Sequence, residues 1–243
     1  MKKSTIPIIP FIDLTSLNTN DNEETITHLC QKAITPFGAV AAVCIYPKFV
    51  NLASKLLKNT SVKIATVVNF PSGEQPLFDV LQEVEASLNQ GANEVDMVLP
   101  YQLYLQGEKN KALDYVIKVR KVCESNIKLK VIIETGALKT TTLIQQITND
   151  VILAGADFVK TSTGKTPQGA TIDAVKVMLT TIKEQTSSNQ KPIGLKVSGG
   201  IRTVNQAQAY LNLAIQIMGK NWLEPTVFRI GASKLLDEII DTL

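Results

Sequence analysis

KLKVIIETGALKTTTLIQQITNDVILAGADFVK, residues 128–160, holds one complete repeat of this chain's design. An apolar, β-branched run opens it at 128–133. A stretch of helical period follows at 140–154, and a second strand-like run closes it at 157–161. Gly155 stands where a helix C-cap glycine hands the chain to a strand, and Gly91 stands likewise in QGANEVD. Working outward in both directions, the same alternation recurs about eight times in 243 residues. Strand-like runs are read at 10–14, 40–45, 63–68, 94–98, 128–133, 157–161, 194–197 and 228–231. Amphipathic stretches lie between them, among them 76–90, 110–124, 140–154 and 203–213. Strict β/α alternation predicts a parallel sheet with right-handed crossovers. Eight units in this length favour a closed (β/α)8 TIM barrel, which usually takes about 250 residues. The expectation is α/β, with one barrel domain spanning residues 1–243; an open doubly wound sheet is the alternative.

Composition narrows the function classes. Apolar residues make up 44% of the chain, enough for a large core, and 25 basic residues nearly balance 22 acidic ones. A net charge of +3 without long charge runs argues against a nucleic-acid or membrane partner and is compatible with a small anion. Cys30, Cys44 and Cys123 are far apart and form no CxxC, so neither a disulfide framework nor a cysteine zinc site is expected. The opening MKKSTIPIIPFIDL faintly imitates a leader peptide, but Pro7, Pro10 and Asp13 interrupt it. No apolar run approaches the roughly 20 residues that span a bilayer. A cytoplasmic protein is expected. The single histidine, His28, rules out a zinc site built from several imidazoles, so no metal and no cofactor are expected.

In a parallel barrel, function gathers where the strands end. Those positions carry Asp13, Cys44, Asn69, Asp96, Glu134, Lys160, Lys196 and, just past the last strand, Ser233. Lys160 ends ADFVK and Lys196 ends IGLK on successive strands, which lie about 4.8 Å apart. At about 6 Å and an effective dielectric near 20, two ammonium groups repel by roughly 3 kcal/mol. Bringing a lysine from about 10.4 to near 7 takes roughly 4–5 kcal/mol. The neighbouring charge is thus expected to supply most of the shift and desolvation the rest. A lysine neutralised this way attacks carbonyls, and its imine is an electron sink. Asp96 is placed to pair with a lysine and hold a proton-carrying water. Lys130, in KLKVIIE, is expected to snorkel outward. Asp13 and Glu134 are read as weaker candidates that bind loop backbone.

Two loops suit a phosphate. Thr161-Ser162-Thr163-Gly164-Lys165-Thr166 contains GKT, but the glycine a nucleotide P-loop needs upstream falls at Val159, so that reading fails. Ser198-Gly199-Gly200-Ile201-Arg202 offers paired glycines whose N–H groups can converge on an anion. Gly231-Ala232-Ser233 leads into the last helix, whose N-terminus also favours negative charge. A sugar-phosphate isomerase using carboxylates, or a non-catalytic phosphosugar-binding barrel, would need the same grip; neither explains paired lysines.

FIDLTSLN, VAAVCIYPKFV, ATVVNFPSG, NEVDMVLPY, KVIIETGAL, AGADFVKTSTGK, GLKVSGGIRT and FRIGAS, in this order, cover residues 11 to 236 nearly throughout. Together they resemble the deoxyribose-phosphate aldolases, the class I aldolases that work through a lysine Schiff base. The resemblance implies reversible cleavage of 2-deoxy-D-ribose 5-phosphate to D-glyceraldehyde 3-phosphate and acetaldehyde, without metal. It implies a catalytic set of Lys160 (the Schiff base), Lys196 and Asp96. Asp13, Thr15, Leu17, Cys44 and Thr163 would line the substrate site. Gly164, Lys165, Gly199, Gly200, Arg202, Gly231 and Ser233 would surround the phosphate. A homo-oligomer, dimer or tetramer, is expected on the same ground. Two departures stand out. Ser233 is followed by Lys234 where some members carry a second small hydroxyl residue. The chain ends Asp241-Thr242-Leu243, where some members carry a tail ending in tyrosine.

Overall fold

The computed structural model describes residues 7–188 and 192–242; the first six residues of the leader-like opening, and Leu243, lie outside them. Eight parallel strands close into a barrel. They are β1 (Ile12–Thr15), β2 (Ala42–Ile45), β3 (Lys63–Val68), β4 (Glu94–Val98), β5 (Lys128–Ile132), β6 (Phe158–Lys160), β7 (Gly194–Ser198) and β8 (Phe228–Ala232). Closure is direct, for Asp13 in β1 registers with Ala42 of β2 on one side and with Gly231 of β8 on the other. The open-sheet alternative is thereby excluded. Each strand is followed by a helix: α1 (Glu23–Lys32), α2 (Val50–Leu57), α3 (Leu77–Asn89), α4 (Lys109–Val122), α5 (Thr141–Leu153), α6 (Ile172–Ser188), α7 (Val204–Met218) and α8 (Leu235–Asp241). Among the described residues, no helix is long and apolar enough to cross a membrane.

Local chemistry explains the boundaries. Asn22, Thr140 and Thr203 cap α1, α5 and α7, each accepting a hydrogen bond from a backbone N–H three residues on; such caps contribute about 1 kcal/mol each. Gly91 and Gly155 adopt φ of 105° and 110° just past α3 and α5, as their position in the sequence suggested. The first strand begins two residues later than expected because Pro10 sits in a 3-10 turn, Ile9–Phe11. Ile34–Thr35 and Gly38–Ala39 form a small antiparallel hairpin outside the barrel, which shortens the second expected strand.

The two faces of the strands bury different things. Ile12, Leu14, Val43, Ile45, Val95, Met97, Leu129, Val131, Val159, Leu195, Val197 and Ile230 pack outward with the helices in one continuous apolar core. The inward positions are divided. β2 and β3 supply a small apolar cluster of Ala42, Cys44, Ala65 and Val67, joined by Leu17. The remaining strands turn ions inward, and they set the site.

Candidate active site

Among the described residues, seven charged side chains meet inside the barrel, all at least nine-tenths buried: Asp13, Glu94, Asp96, Lys130, Lys160, Lys196 and Arg229. Asp96 is the hub. Its Oδ2 lies 2.8 Å from Lys160 Nζ and 2.7 Å from Lys196 Nζ, and its Oδ1 lies 2.8 Å from Lys130 Nζ. Lys196 also reaches Asp13 Oδ2 at 2.5 Å, and Lys130 reaches Glu94 Oε2 at 2.5 Å. Arg229 bridges the lower layer, donating to Asp13 Oδ1 at 2.7 Å and Glu94 Oε1 at 2.9 Å.

The strands impose this geometry. Lys160 registers with Lys196 across β6 and β7, and Asp96 registers with Lys130 across β4 and β5. Two glycines make room for it. A Cβ on Gly231 would stand 3.1 Å from Lys196 Cε, and one on Gly194 would strike the Phe158 ring. That ring lies under Lys130 and Arg229, with its centroid 6.0 and 5.9 Å from their cationic groups.

Four bases thus face three carboxylates. Lys196 and Arg229 each pair with two carboxylates and Lys130 with three, Asp13 the farthest at 3.9 Å, whereas Lys160 pairs only with Asp96 among the described residues. Burial lowers the Lys160 pKa most; Lys196 lowers it further, and Asp96 opposes both without cancelling them. Desolvation therefore leads and the cationic neighbour assists, the reverse of the ranking expected from strand spacing alone. Burial also acts against the charged forms of Lys130 and Lys196, but their carboxylate partners outweigh it and raise both. Asp96 is held well below the ordinary carboxylate range, because Lys130, Lys160 and Lys196 together overcome its burial. Burial pushes the Cys44 thiol up, and its Sγ sits 3.9 Å from Asp96 Oδ2.

Above the lysines a cavity of about 220 Å³ opens at the C-terminal mouth. Thr15, Leu17, Lys160, Thr163, Gly164, Lys165, Gly199, Gly200, Arg202, Gly231 and Ser233 line it, joined by Asn18, Ser198, Ile201 and Ala232. Asp13, Cys44, Asp96 and Lys196 lie outside its lining, fully buried. Gly200 has φ 85° and open space where a Cβ would stand, so backbone reaches the cavity there.

The loops around the cavity are tied to one another. Glu134 Oε2 accepts Thr163 Oγ1 at 2.5 Å and Thr163 N at 3.2 Å, while Oε1 accepts Thr166 Oγ1. Lys165 Nζ donates to the Leu17 carbonyl at 2.6 Å, clasping the loop after β6 to the loop after β1. The N-terminus of α7 is closed by the Thr203–Gln206 capping box, and Gln206 also accepts Arg202 N. The N-cap of α8, Lys234, makes no side-chain cap.

Three sequence expectations change. Lys130 does not snorkel outward: it is fully buried and held by Glu94 and Asp96, for a lysine between two carboxylates has a better partner inside than water offers outside. Asp13 is an interior ion partner of Lys196 and Arg229 rather than a loop anchor. Asn69 ends its strand in left-handed backbone (φ 54°) and spends its side chain on Val98 O and Gln75 N. Glu94 and Arg229 went unrecognised although the signal was present. Side chains two apart on a strand share a face, so inward Asp96 implies inward Glu94, and inward Gly231 implies inward Arg229.

A buried lysine with a lowered pKa, beside a carboxylate and beneath a polar cavity, is an arrangement for carbonyl chemistry. Residues 8–237 match the DeoC/LacD family of aldolases. The chain belongs to that family. It is an aldolase, a carbon–carbon lyase. Similarity extends to individual members: the deoxyribose-phosphate aldolase of Agrobacterium fabrum (strain C58) is 43% identical over 236 residues, covering 97% of this chain and 90% of the relative. Among solved structures, the tetrameric deoxyribose phosphate aldolase of Aeropyrum pernix superposes with a TM-score of 0.76 at 27% identity, covering 97% of this chain and 92% of that one. The aldolase QR15 superposes with a TM-score of 0.79 at 27% identity, covering 97% of each chain. Both comparisons agree with the closed barrel of this family member.

Proposed function

We propose that this aldolase cleaves 2-deoxy-D-ribose 5-phosphate to D-glyceraldehyde 3-phosphate and acetaldehyde through a Schiff base on Lys160. One observation carries the reading: of the four bases in the barrel, Lys160 alone has its pKa lowered, and it alone of them borders the cavity. The Agrobacterium relative of that name supports the choice of substrate.

Neutral Lys160 adds to the C1 aldehyde of the open-chain sugar phosphate, and loss of water leaves a cationic imine. The bond that breaks is C2–C3, because the products have two and three carbons. Its electron pair moves into the C1–C2 bond as the imine becomes an enamine, while the C3 hydroxyl proton leaves through a water held by Asp96 and Lys196. Glyceraldehyde 3-phosphate departs, C2 takes a proton, and hydrolysis returns the amine and acetaldehyde. Asp96 stands within 2.8 Å of the nitrogen that turns cationic, so it stabilises the imine more than the neutral amine that precedes it.

Thr15, Leu17, Cys44, Asp13 and Thr163 act on the sugar side, directly or by ordering what does. Lys165, Arg202, Ser233 and the backbone at Gly164, Gly199, Gly200 and Gly231 orient the phosphate, far from the reacting bond. The whole chain serves as one barrel domain. A homo-oligomer is proposed from the tetrameric relative, and a cytoplasmic location from three buried free thiols.

Borohydride reduction in the presence of acetaldehyde is expected to leave an ethyl group on Lys160. Lys160→Met is expected to lose both the adduct and at least about 10⁴-fold in kcat/KM. An adduct on another lysine, or no adduct with turnover intact, defeats the assignment.

A further inference from the structure

The cavity and the lysine it exposes sit on a second, deeper layer of charge that touches no part of the cavity. Arg229 joins Asp13 to Glu94, Glu94 holds Lys130, and Lys130 occupies the oxygen of Asp96 that Lys160 and Lys196 leave free. Every member of that lower layer is at least nine-tenths buried. We propose that Arg229 and Glu94 are positioning residues for the Schiff-base reaction, setting by charge count how many protons the barrel's lysines hold. The inference rests on the reading of Lys160 as the nucleophile.

In the resting barrel Asp13, Glu94 and Asp96 balance Lys130, Lys196 and Arg229 only when Lys160 is neutral. The groups that act on Lys160 directly are Asp96 from β4, Lys196 from β7 and the Cys44 thiol from β2. Behind them, joined to Asp96 or Lys196 through ion pairs, stand Asp13 from β1, Glu94 from β4, Lys130 from β5 and Arg229 from β8. β3 contributes apolar Ala65 and Val67, with Lys63 at its start exposed to solvent at the opposite end of the barrel, beside Arg229. Lys165 and Arg202 stand above, at the cavity wall. Arg229 registers with Lys196, and Lys196 with Lys160, so Arg229 stands two strand spacings from Lys160, roughly 10 Å. A unit charge at that separation, with an effective dielectric near 20, moves a neighbouring pKa by about one unit.

The two residues therefore pull in opposite directions. Glu94→Gln leaves an excess of positive charge, so Lys160 gives up its proton more readily. The acid limb of kcat/KM is expected to move down by about one pH unit. Arg229→Gln leaves an excess of negative charge and is expected to move that limb up by about as much. The double variant is balanced again and is expected to return the limb to its wild-type position. A merely structural layer predicts no such reversal.

The same limb is read a second way, from the pH dependence of borohydride-trapped adduct formation with acetaldehyde, with the adduct located by mass spectrometry. Limbs that stay in place, shifts of the same sign in both single variants, or a double variant that fails to return would overturn the proposal. If Arg229→Gln does not fold, Glu94→Gln and the charge-preserving Arg229→Lys, expected to leave the limb unmoved, decide it. An adduct away from Lys160 defeats the nucleophile assignment itself, whereas an adduct on Lys160 with unmoved limbs defeats only the role given to the lower layer.

Discussion

Lys130 and Lys160 are the same residue type on adjacent strands, both sealed inside one barrel, and they hold their protons with opposite strength. Lys130 sits in the lower layer between Glu94 and Asp96, above the Phe158 ring, and binds its proton more tightly than an ordinary lysine. Lys160 sits one layer up, touches Asp96 and faces the cavity, and its proton is loosened. Burial acts on both in the same direction. Carboxylate supply decides the outcome: around Lys130 the acids Asp96, Glu94 and the more distant Asp13 outweigh desolvation, and around Lys160 one acid shared with Lys196 does not. The lower region stores charge in closed pairs, and the upper region keeps one amine short of a partner.

The largest effect expected from breaking this contrast is on stability. Lys130→Met strands Glu94 beside Arg229 with one pairing lost, and breaking a buried ion pair from one side costs about 3–5 kcal/mol. Lys160→Met removes the unbalanced base and is expected to cost no stability at neutral pH. The signs differ with pH as well. Lys130 has a raised pKa, so its contribution is complete below the ordinary lysine pKa and is lost only as pH rises through the folded value. Lys160 has a lowered pKa, so the wild-type protein gains stability as pH rises from its folded value toward the ordinary one. Any advantage of Lys160→Met should shrink across that window. Urea denaturation of both variants at neutral and alkaline pH measures this, and equal losses in the two would dissolve the contrast.

Next in size is the coupling between the paired lysines. Lys196→Met removes a cation that shares Asp96 Oδ2 with Lys160, their nitrogens lying 2.7 and 2.8 Å from that oxygen. At about 5 Å and an effective dielectric near 20 such a charge is worth roughly 3 kcal/mol. The reactive form of Lys160 is the neutral one, so its acid limb should move upward, by about two pH units. Activity at neutral pH falls accordingly, and part of it should return at alkaline pH. A pH–rate profile that keeps its wild-type limb would mean that desolvation alone tunes Lys160.

Much of this was legible before any coordinates. Eight β/α repeats made the barrel legible, since alternation of period two with period 3.6 leaves few other folds. Lys160, Lys196 and Asp96 stood out as residues expected at strand ends; Lys160 does end its strand, whereas Asp96 and Lys196 stand at the middle of theirs and still turn inward. The lower layer did not, for a general reason: Glu94 opens its strand, Arg229 is second in its own and Lys130 is central, away from the C-terminal mouth, where a charged side chain is ordinarily taken to escape to solvent. Strand alternation carried the missing information, because each is two residues from a position already read as inward or registers with one. The clasp between Lys165 and the Leu17 carbonyl was beyond local reading altogether, since its partners are separated by 148 residues and meet only when the barrel closes.

The smallest effect tests whether the upper region is itself preorganised. Glu134 adopts φ 51°, left-handed backbone that costs a non-glycine residue on the order of 1 kcal/mol, and its carboxylate holds Thr163 and Thr166 on either side of Gly164 and Lys165. Strain kept just past the end of a strand fits a residue that shapes the loop proposed to hold the phosphate. Glu134→Gln replaces one accepting oxygen with a donor, so at least one of these bonds is lost while the volume stays the same. The expected result is a KM for deoxyribose 5-phosphate raised about tenfold, close to the worth of one charge-assisted hydrogen bond, with kcat little changed. Unphosphorylated deoxyribose has nothing for that loop to grip, so its kcat/KM should stay near wild type. An equal loss with both sugars would mean that Glu134 supports Lys160 through the barrel instead, and would move it from the phosphate loop into the ionic layer below.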